Sequence, residues 1–258
     1  MKTPLLYICY GVPKSGSSLA HALSAVIAER GGFDQSPLAV PGIGHGHLRA
    51  NFVPSLKSEH LRPALDAARS DQRRMVVLKT HGRVTPALRA AVDRGAVRVQ
   101  AHIRDPRDVA LSMWDAARRG DAWGTLAEDA PITAPEEARA RIVRQIGFFR
   151  DWATLPGALV LGYERTAFET AAAARRIARH MGVAPAPLRD AFGAKRRFTQ
   201  FNAGRSQRHL SEMTPEQAAD WYAEFHEIID LHRLAEPPRR TWPGRLMTRL
   251  ARLSAGRF

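Results

Sequence analysis

The segment Tyr10-Gly11-Val12-Pro13-Lys14-Ser15-Gly16-Ser17-Ser18 limits what this chain can fold into more than any other. It follows the apolar run Leu5-Leu6-Tyr7-Ile8-Cys9 and precedes Leu19, Leu23, Val26 and Ile27 at helical spacing. A strand, a glycine turn and a helix start in succession form an anion cradle. Amides in the first helical turn have no partner within the helix, and the positive end of the helix dipole favours a phosphate beside them. Glycine lets the backbone approach that anion with no Cβ in the way.

The nucleotide-triphosphate loop pattern G-x-x-x-x-G-K-[ST] places lysine directly after the second glycine. Here Gly11 and Gly16 keep the spacing and Ser18 keeps the last hydroxyl, but Ser17 stands where that lysine would be. The loop's only lysine is Lys14. The displaced charge implies a different phosphoanhydride. Strand 74–79 runs into Lys79-Thr80-His81, where lysine and histidine two apart point the same way and the imidazole can take a proton from a hydroxyl. Strand 96–103 runs into Arg104-Asp105-Pro106-Arg107-Asp108-Val109-Ala110-Leu111-Ser112. Asp105 as N-cap, Pro106 in the first turn and Asp108 three residues past the cap account for a helix start. They leave Arg104 and Ser112 over, a fork and a hydroxyl suited to a second phosphate.

Segments 4–10, 74–79, 96–103 and 157–162 read as buried parallel strands. Helical patterns lie at 17–29, 58–69, 108–118, 135–153, 166–181 and 215–233, the last with Trp221, Tyr222, Phe225, Ile228 and Ile229 on a core-facing stripe. Alternation of this kind predicts an α/β chain, a three-layer α/β/α arrangement around a central parallel sheet, with ligands at the carboxyl ends of the strands. Thr133 with Glu136, and Thr214 with Gln217, have the spacing of capping boxes. Segments 31–57 and 119–134 are expected to be irregular. The histidines of Gly42–His47 have no Cys or carboxylate at ligand spacing, so that stretch is read as an acceptor-binding loop rather than a metal site.

With 39 basic and 25 acidic residues the chain carries +14, and 34 of its cations are arginine against five lysines. Much of this reflects a general bias toward arginine and alanine, which makes Lys14 and Lys79 stand out. A basic surface favours polyanions. The arginines are spread along helices and aromatics are only 7%, unlike a stacking platform for single-stranded nucleic acid. Cys9 is the only cysteine and no apolar run nears the length of a membrane span, so a cytoplasmic protein is expected. Residues 1–235 form the expected domain. Segment 236–258 forms a basic amphipathic tail of the kind that contacts anionic membrane surfaces weakly or packs on its own domain.

Lys14-Ser15-Gly16-Ser17-Ser18 resembles the P-K-S-G-[ST]-[ST] loop of sulfotransferases that use 3'-phosphoadenosine 5'-phosphosulfate (PAPS). Lys79-Thr80-His81, the Arg104–Ser112 run and Leu161-Gly162-Tyr163-Glu164 follow in the order and spacing of the cytosolic-type sulfotransferases. The resemblance implies a P-loop NTPase-like sulfotransferase fold, PAPS as co-substrate without a metal, and a small-molecule or glycan acceptor rather than nucleic acid. It assigns the 5'-phosphosulfate to Lys14, Ser15, Gly16, Ser17 and Ser18, and the 3'-phosphate to Arg104 and Ser112. Tyr163 would approach the nucleotide and His81 would act as base, with Lys14 and Lys79 stabilising charge. Two positions depart from the family pattern: Leu19 replaces an adenine-stacking tryptophan, and a C-terminal phosphate clamp survives only as Phe201–Arg208, with Arg205 and Arg208 as its substitutes. The residues alone also admit an NTP-dependent kinase, with Asp105 as a magnesium ligand, or a non-catalytic polyanion- or RNA-binding protein.

Overall fold

The computed structural model describes residues 3–45, 51–120, 131–184 and 205–235. Six strands form one sheet in the order β2-β3-β4-β1-β5-β6. They are β1 (Leu6–Gly11), β2 (Gly44–His45), β3 (Asn51–Val53), β4 (Val76–Thr80), β5 (Val97–Ile103) and β6 (Leu159–Gly162). All neighbours pair in parallel except β2 with β3, a short antiparallel edge. The chain thus has the expected parallel centre, and β2 and β3 are strands where the sequence predicts irregular chain.

Helices cover both faces, and β1 displays the reason. All six of its residues are buried, and their side chains alternate between two apolar clusters. Leu6, Ile8 and Tyr10 point to the larger cluster, with α2 (Ser58–Ser70), α3 (Pro86–Asp93), α4 (Pro106–Arg118) and α5 (Arg139–Ala153). Tyr7 and Cys9 point to the other, where Leu23 and Ile27 of α1 (Ser17–Arg30) meet Ile177 and Ala178 of α7 (Thr170–Met181). Each fully buried aliphatic side chain contributes roughly 1.5–3 kcal/mol, so the central strand anchors both layers. Among the described residues no helix is long and apolar enough to cross a membrane.

Helix ends follow the expected capping in part. Asp105 caps α4 by accepting from the Arg107 amide, and Thr214 with Gln217 closes a reciprocal box at the helix Pro215–Ala235. The Thr133 partner is Glu137 and not Glu136, because the cap of the 3-10 turn Pro135–Ala138 is Ala134, which makes Glu137 the residue three past the cap. The pattern over 166–181 is two helices, α6 (Tyr163–Phe168) and α7, broken at Glu169. In the last helix Trp221, Phe225, Ile228 and Ile229 enter the core while Tyr222 faces solvent. The tail 236–258 and His47 lie outside the described residues.

Candidate active site

Four adjacent strand tips build the site. In sheet order β4, β1, β5 and β6 lead into His81, the Gly11–Ser18 loop, Arg104 and Tyr163. The change of direction on either side of β1 is where parallel sheets open a crevice.

The loop closes tightly on itself. A Cβ on Gly11 would lie 2.2 Å from that of Ser17, so only glycine fits there. Gly16 is the N-cap of α1 with φ +82°, and it supplies no side-chain cap. The Leu19 and Ala20 amides bond the Gly16 carbonyl, which leaves the Ser17 and Ser18 amides as the donors that helix geometry offers to a ligand. No acidic residue sits in the first turn to oppose an anion. Ser15 is placed differently: its amide bonds the Val12 carbonyl and its buried hydroxyl lies 3.4 Å from His102 Nδ1. It shapes the loop from inside. Leu19 is buried with the α1–α7 cluster, so this position packs core instead of stacking on a base.

Gly16 also explains why the loop and β6 meet. A Cβ there would stand 2.8 Å from the Tyr163 ring. Left-handed backbone plus overpacking predicts that Gly16→Ala costs about 2–4 kcal/mol. Calorimetry should show Tm lower by roughly 5–12 °C. An unchanged Tm would contradict this packing.

At the β4 tip, Lys79 donates from Nζ to Ser18 Oγ at 2.5 Å, tying the strand to the loop. Register places Phe52 of β3 beside Lys79, with its ring 5.4 Å from Nζ and 5.7 Å from the His81 ring, edge-on. His81 Nδ1 lies 2.6 Å from the Gly11 carbonyl. A carbonyl only accepts, so Nδ1 carries the proton and Nε2 is the basic nitrogen. Burial, reinforced by the Lys79 charge and opposed by the Gly11 bond, pushes the imidazole down to about 3. It is therefore neutral at physiological pH.

Burial also brings Lys79 down to about 8, with the Lys14 charge adding to the shift and Cys9 working against it. The charged form exists below that value and is lost above it. If the ammonium is needed, kcat/KM for the donor falls above about pH 8, approaching roughly tenfold per pH unit. Lys79→Arg, which stays charged, should carry the plateau past pH 9. A wild-type profile flat to pH 9.5 would rule out this role.

Arg104, at the β5 tip, is buried and held on every side. One terminal nitrogen lies 3.4 Å from the Lys14 carbonyl; the other donates to Asp108 Oδ2 at 3.1 Å and to the Arg205 carbonyl at 2.7 Å. Its guanidinium carbon sits 4.0 Å from the centre of the Tyr163 ring. Its buried Nε makes no hydrogen bond among the described residues. Such a donor is costly unless a ligand completes it. Ser112 is buried on α4 one turn beyond Asp108, on the same stripe.

Two anchors from distant parts of the sequence complete this side of the site. Asp108 is an anchor for Arg104 and for His209, whose amide and Nδ1 lie 3.1 and 2.9 Å from Oδ1. Arg208 uses each of its nitrogens: Nε and one terminal nitrogen donate to Glu212, the other to Asp115. These bonds tie Arg208 to Asp115 of α4 and to Glu212, and each terminal nitrogen keeps a second N–H. Arg205 presents its carbonyl to Arg104 while its side chain is exposed. The sequence reading missed Phe52, Asp108, Asp115 and His209 as site components. The i, i+4, i+7 spacing of Asp108, Ser112 and Asp115 was the available signal for the α4 stripe; Phe52 had none.

Lys14, Lys79, His81, Arg104 and Tyr163 are thus joined through one loop, by its Gly11 and Lys14 carbonyls, its Ser18 hydroxyl and its Gly16 turn. No protein-family model and no curated protein matches the sequence. Solved structures do match. A retinol dehydratase in complex with retinol and PAP aligns at 14% identity and TM-score 0.53, covering 94% of this chain and 84% of that one. A retinol dehydratase in complex with androsterone and PAP aligns at 13% and 0.51, covering 95% and 84%. Mouse sulfotransferase SULT7A1 with PAP aligns at 16% and 0.50, covering 95% and 88%. The chain has the fold of PAP-bound sulfotransferases.

Proposed function

We propose that this protein is a PAPS-dependent sulfotransferase, moving a sulfuryl group to the hydroxyl or amine of a small-molecule or glycan acceptor and releasing adenosine 3',5'-bisphosphate (PAP). The observation that carries the reading is the junction just described, two basic positions on either side of one amide-lined loop with a neutral imidazole beside it. The residues suit such a donor: the Arg104 Nε is a buried donor with no hydrogen bond among the described residues, and Gly16 lets Tyr163 pack against the loop beside Arg104. The neighbours' own bound PAP supports the same class of donor, and the retinol and androsterone of retinol dehydratase support a hydroxyl-bearing small molecule.

The donor supplies a sulfuryl group already activated by its phosphoanhydride. Catalysis then rests on positioning and on stabilising charge as it develops. The Ser17 and Ser18 amides and Lys14 hold the 5' end and stabilise the leaving oxygen. Lys79, bridging from β4 to Ser18, stabilises the transferring group. His81 Nε2 takes the acceptor's proton, while the Nδ1 bond to Gly11 fixes the ring and disperses the charge that the ring gains. Arg104 and Ser112 hold the 3'-phosphate, and Tyr163 braces Arg104 from below. Phe52 gives the acceptor an aromatic wall next to the base. Cys9, a lone buried thiol, suits a reducing cytoplasm.

Thermal shift separates this reading from its rivals. PAP without metal should raise Tm by several degrees, as ligand linkage requires for a saturating ligand. Stabilisation by ATP with magnesium but not by PAP would favour a kinase, and stabilisation by RNA alone a polyanion-binding protein.

A further inference from the structure

Sequence alone makes Asp108 a helix-start residue, yet it is fully buried and both its oxygens work elsewhere. Oδ2 accepts from Arg104, and Oδ1 accepts from the amide and ring of His209. Burial alone would raise such a carboxyl; the His209 hydrogen bond and the Arg104 charge outweigh it and hold the group well below the ordinary range. It is an anion, and it joins two parts of the pocket. Arg104 in turn grips the Arg205 carbonyl, and two turns further along α4 Asp115 repeats the pattern with Arg208. Segment Arg205–Glu212 is thereby fastened to α4 directly beside Arg104.

We propose that Asp108 is a positioning residue for the donor's 3'-phosphate: it fixes Arg104 and the Arg205–Glu212 wall in one frame, and that frame gives selectivity for a 3'-phosphorylated nucleotide. The inference rests on the sulfotransferase reading above. The guanidinium has Lys14, Arg205 and Tyr163 on three sides, and among the described residues only Asp108 supplies an oppositely charged partner that sets its rotation about the side-chain axis. With that rotation fixed, Nε, which has no hydrogen bond among the described residues, keeps a constant direction. The role is geometric and runs against simple electrostatics, since a carboxylate near a phosphate site repels it.

That opposition gives a test with a sign. Calorimetric titration should compare PAP with AMP, which lacks the 3'-phosphate, at fixed ionic strength in the wild-type chain and Asp108→Asn. Positioning predicts PAP binding weaker by about tenfold or more and AMP changed by less than about twofold. The KM for PAPS should rise accordingly while kcat at saturation stays within about threefold, because His81 and Lys79 lie across the loop. Tighter PAP binding, or parallel loss for both ligands, would overturn the proposal. Should Asp108→Asn not fold, His209→Ala leaves the carboxylate and frees one of its anchors; the PAP-to-AMP preference should then fall by about threefold, and an unchanged preference overturns the proposal. A wild-type chain with no preference for PAP over AMP would instead overturn the sulfotransferase reading itself.

Discussion

His81→Ala is expected to lower kcat by at least about a hundredfold while leaving PAP affinity within about twofold, since a positioned general base contributes roughly 10²–10⁴. The imidazole is 5% exposed, set by the Gly11 carbonyl on one side and the Phe52 edge on the other. It has little freedom to act as anything but an oriented acceptor. The anion cradle is formed by amides and lysines that do not depend on it, so donor binding should survive. Steady-state kinetics with titration of PAP separates the two effects. A variant with kcat within threefold of wild type would remove the base from the mechanism.

Lys14→Gly is expected to cost at least about a hundredfold in kcat, or roughly 3 kcal/mol of transition-state stabilisation, with almost no cost in stability. The reason lies in the backbone. Lys14 has φ +67°, a left-handed conformation that costs a non-glycine residue roughly 1–2 kcal/mol. Glycine would relieve that strain and lose a similar amount to chain entropy, about 0.5–1 kcal/mol. Tm should therefore stay within about 3 °C of wild type. A residue chosen for folding would be glycine; one kept for charge would be lysine. Loss of 10 °C in Tm, or full retention of kcat, would show that the lysine is structural.

These two residues were legible because their chemistry is local. Gly11, Gly16 and the following apolar spacing specify a strand, a turn and a helix through backbone geometry alone, and Lys79 and His81 inherit their direction from strand alternation. The same holds for Arg104, placed by the end of a buried strand and the Asp105-Pro106 helix start. Long-range partners were not legible. Nothing near Asp108 indicates that a histidine 101 positions away will share its carboxylate. Nor does the sequence near Arg208 indicate that Asp115, 93 positions away, shares it with Glu212. The edge strands β2 and β3 escaped because two- and three-residue strands have no period to detect. With β3 went Phe52, which owes its place beside His81 to register with Lys79. The helix α3 was also overlooked, although Thr85 caps it by accepting from the Leu88 amide and Pro86 opens it.

The most direct test of the central claim follows the sulfur atom itself. Purified protein would be incubated with PAPS carrying labelled sulfur, without metal, and with a panel of phenols, aliphatic alcohols, amines and sugars. The account predicts label in at least one organic acceptor, PAP formed in equal amount, and loss of both in His81→Ala. PAP release with the label recovered only as inorganic sulfate, or transfer undiminished in His81→Ala, would contradict it.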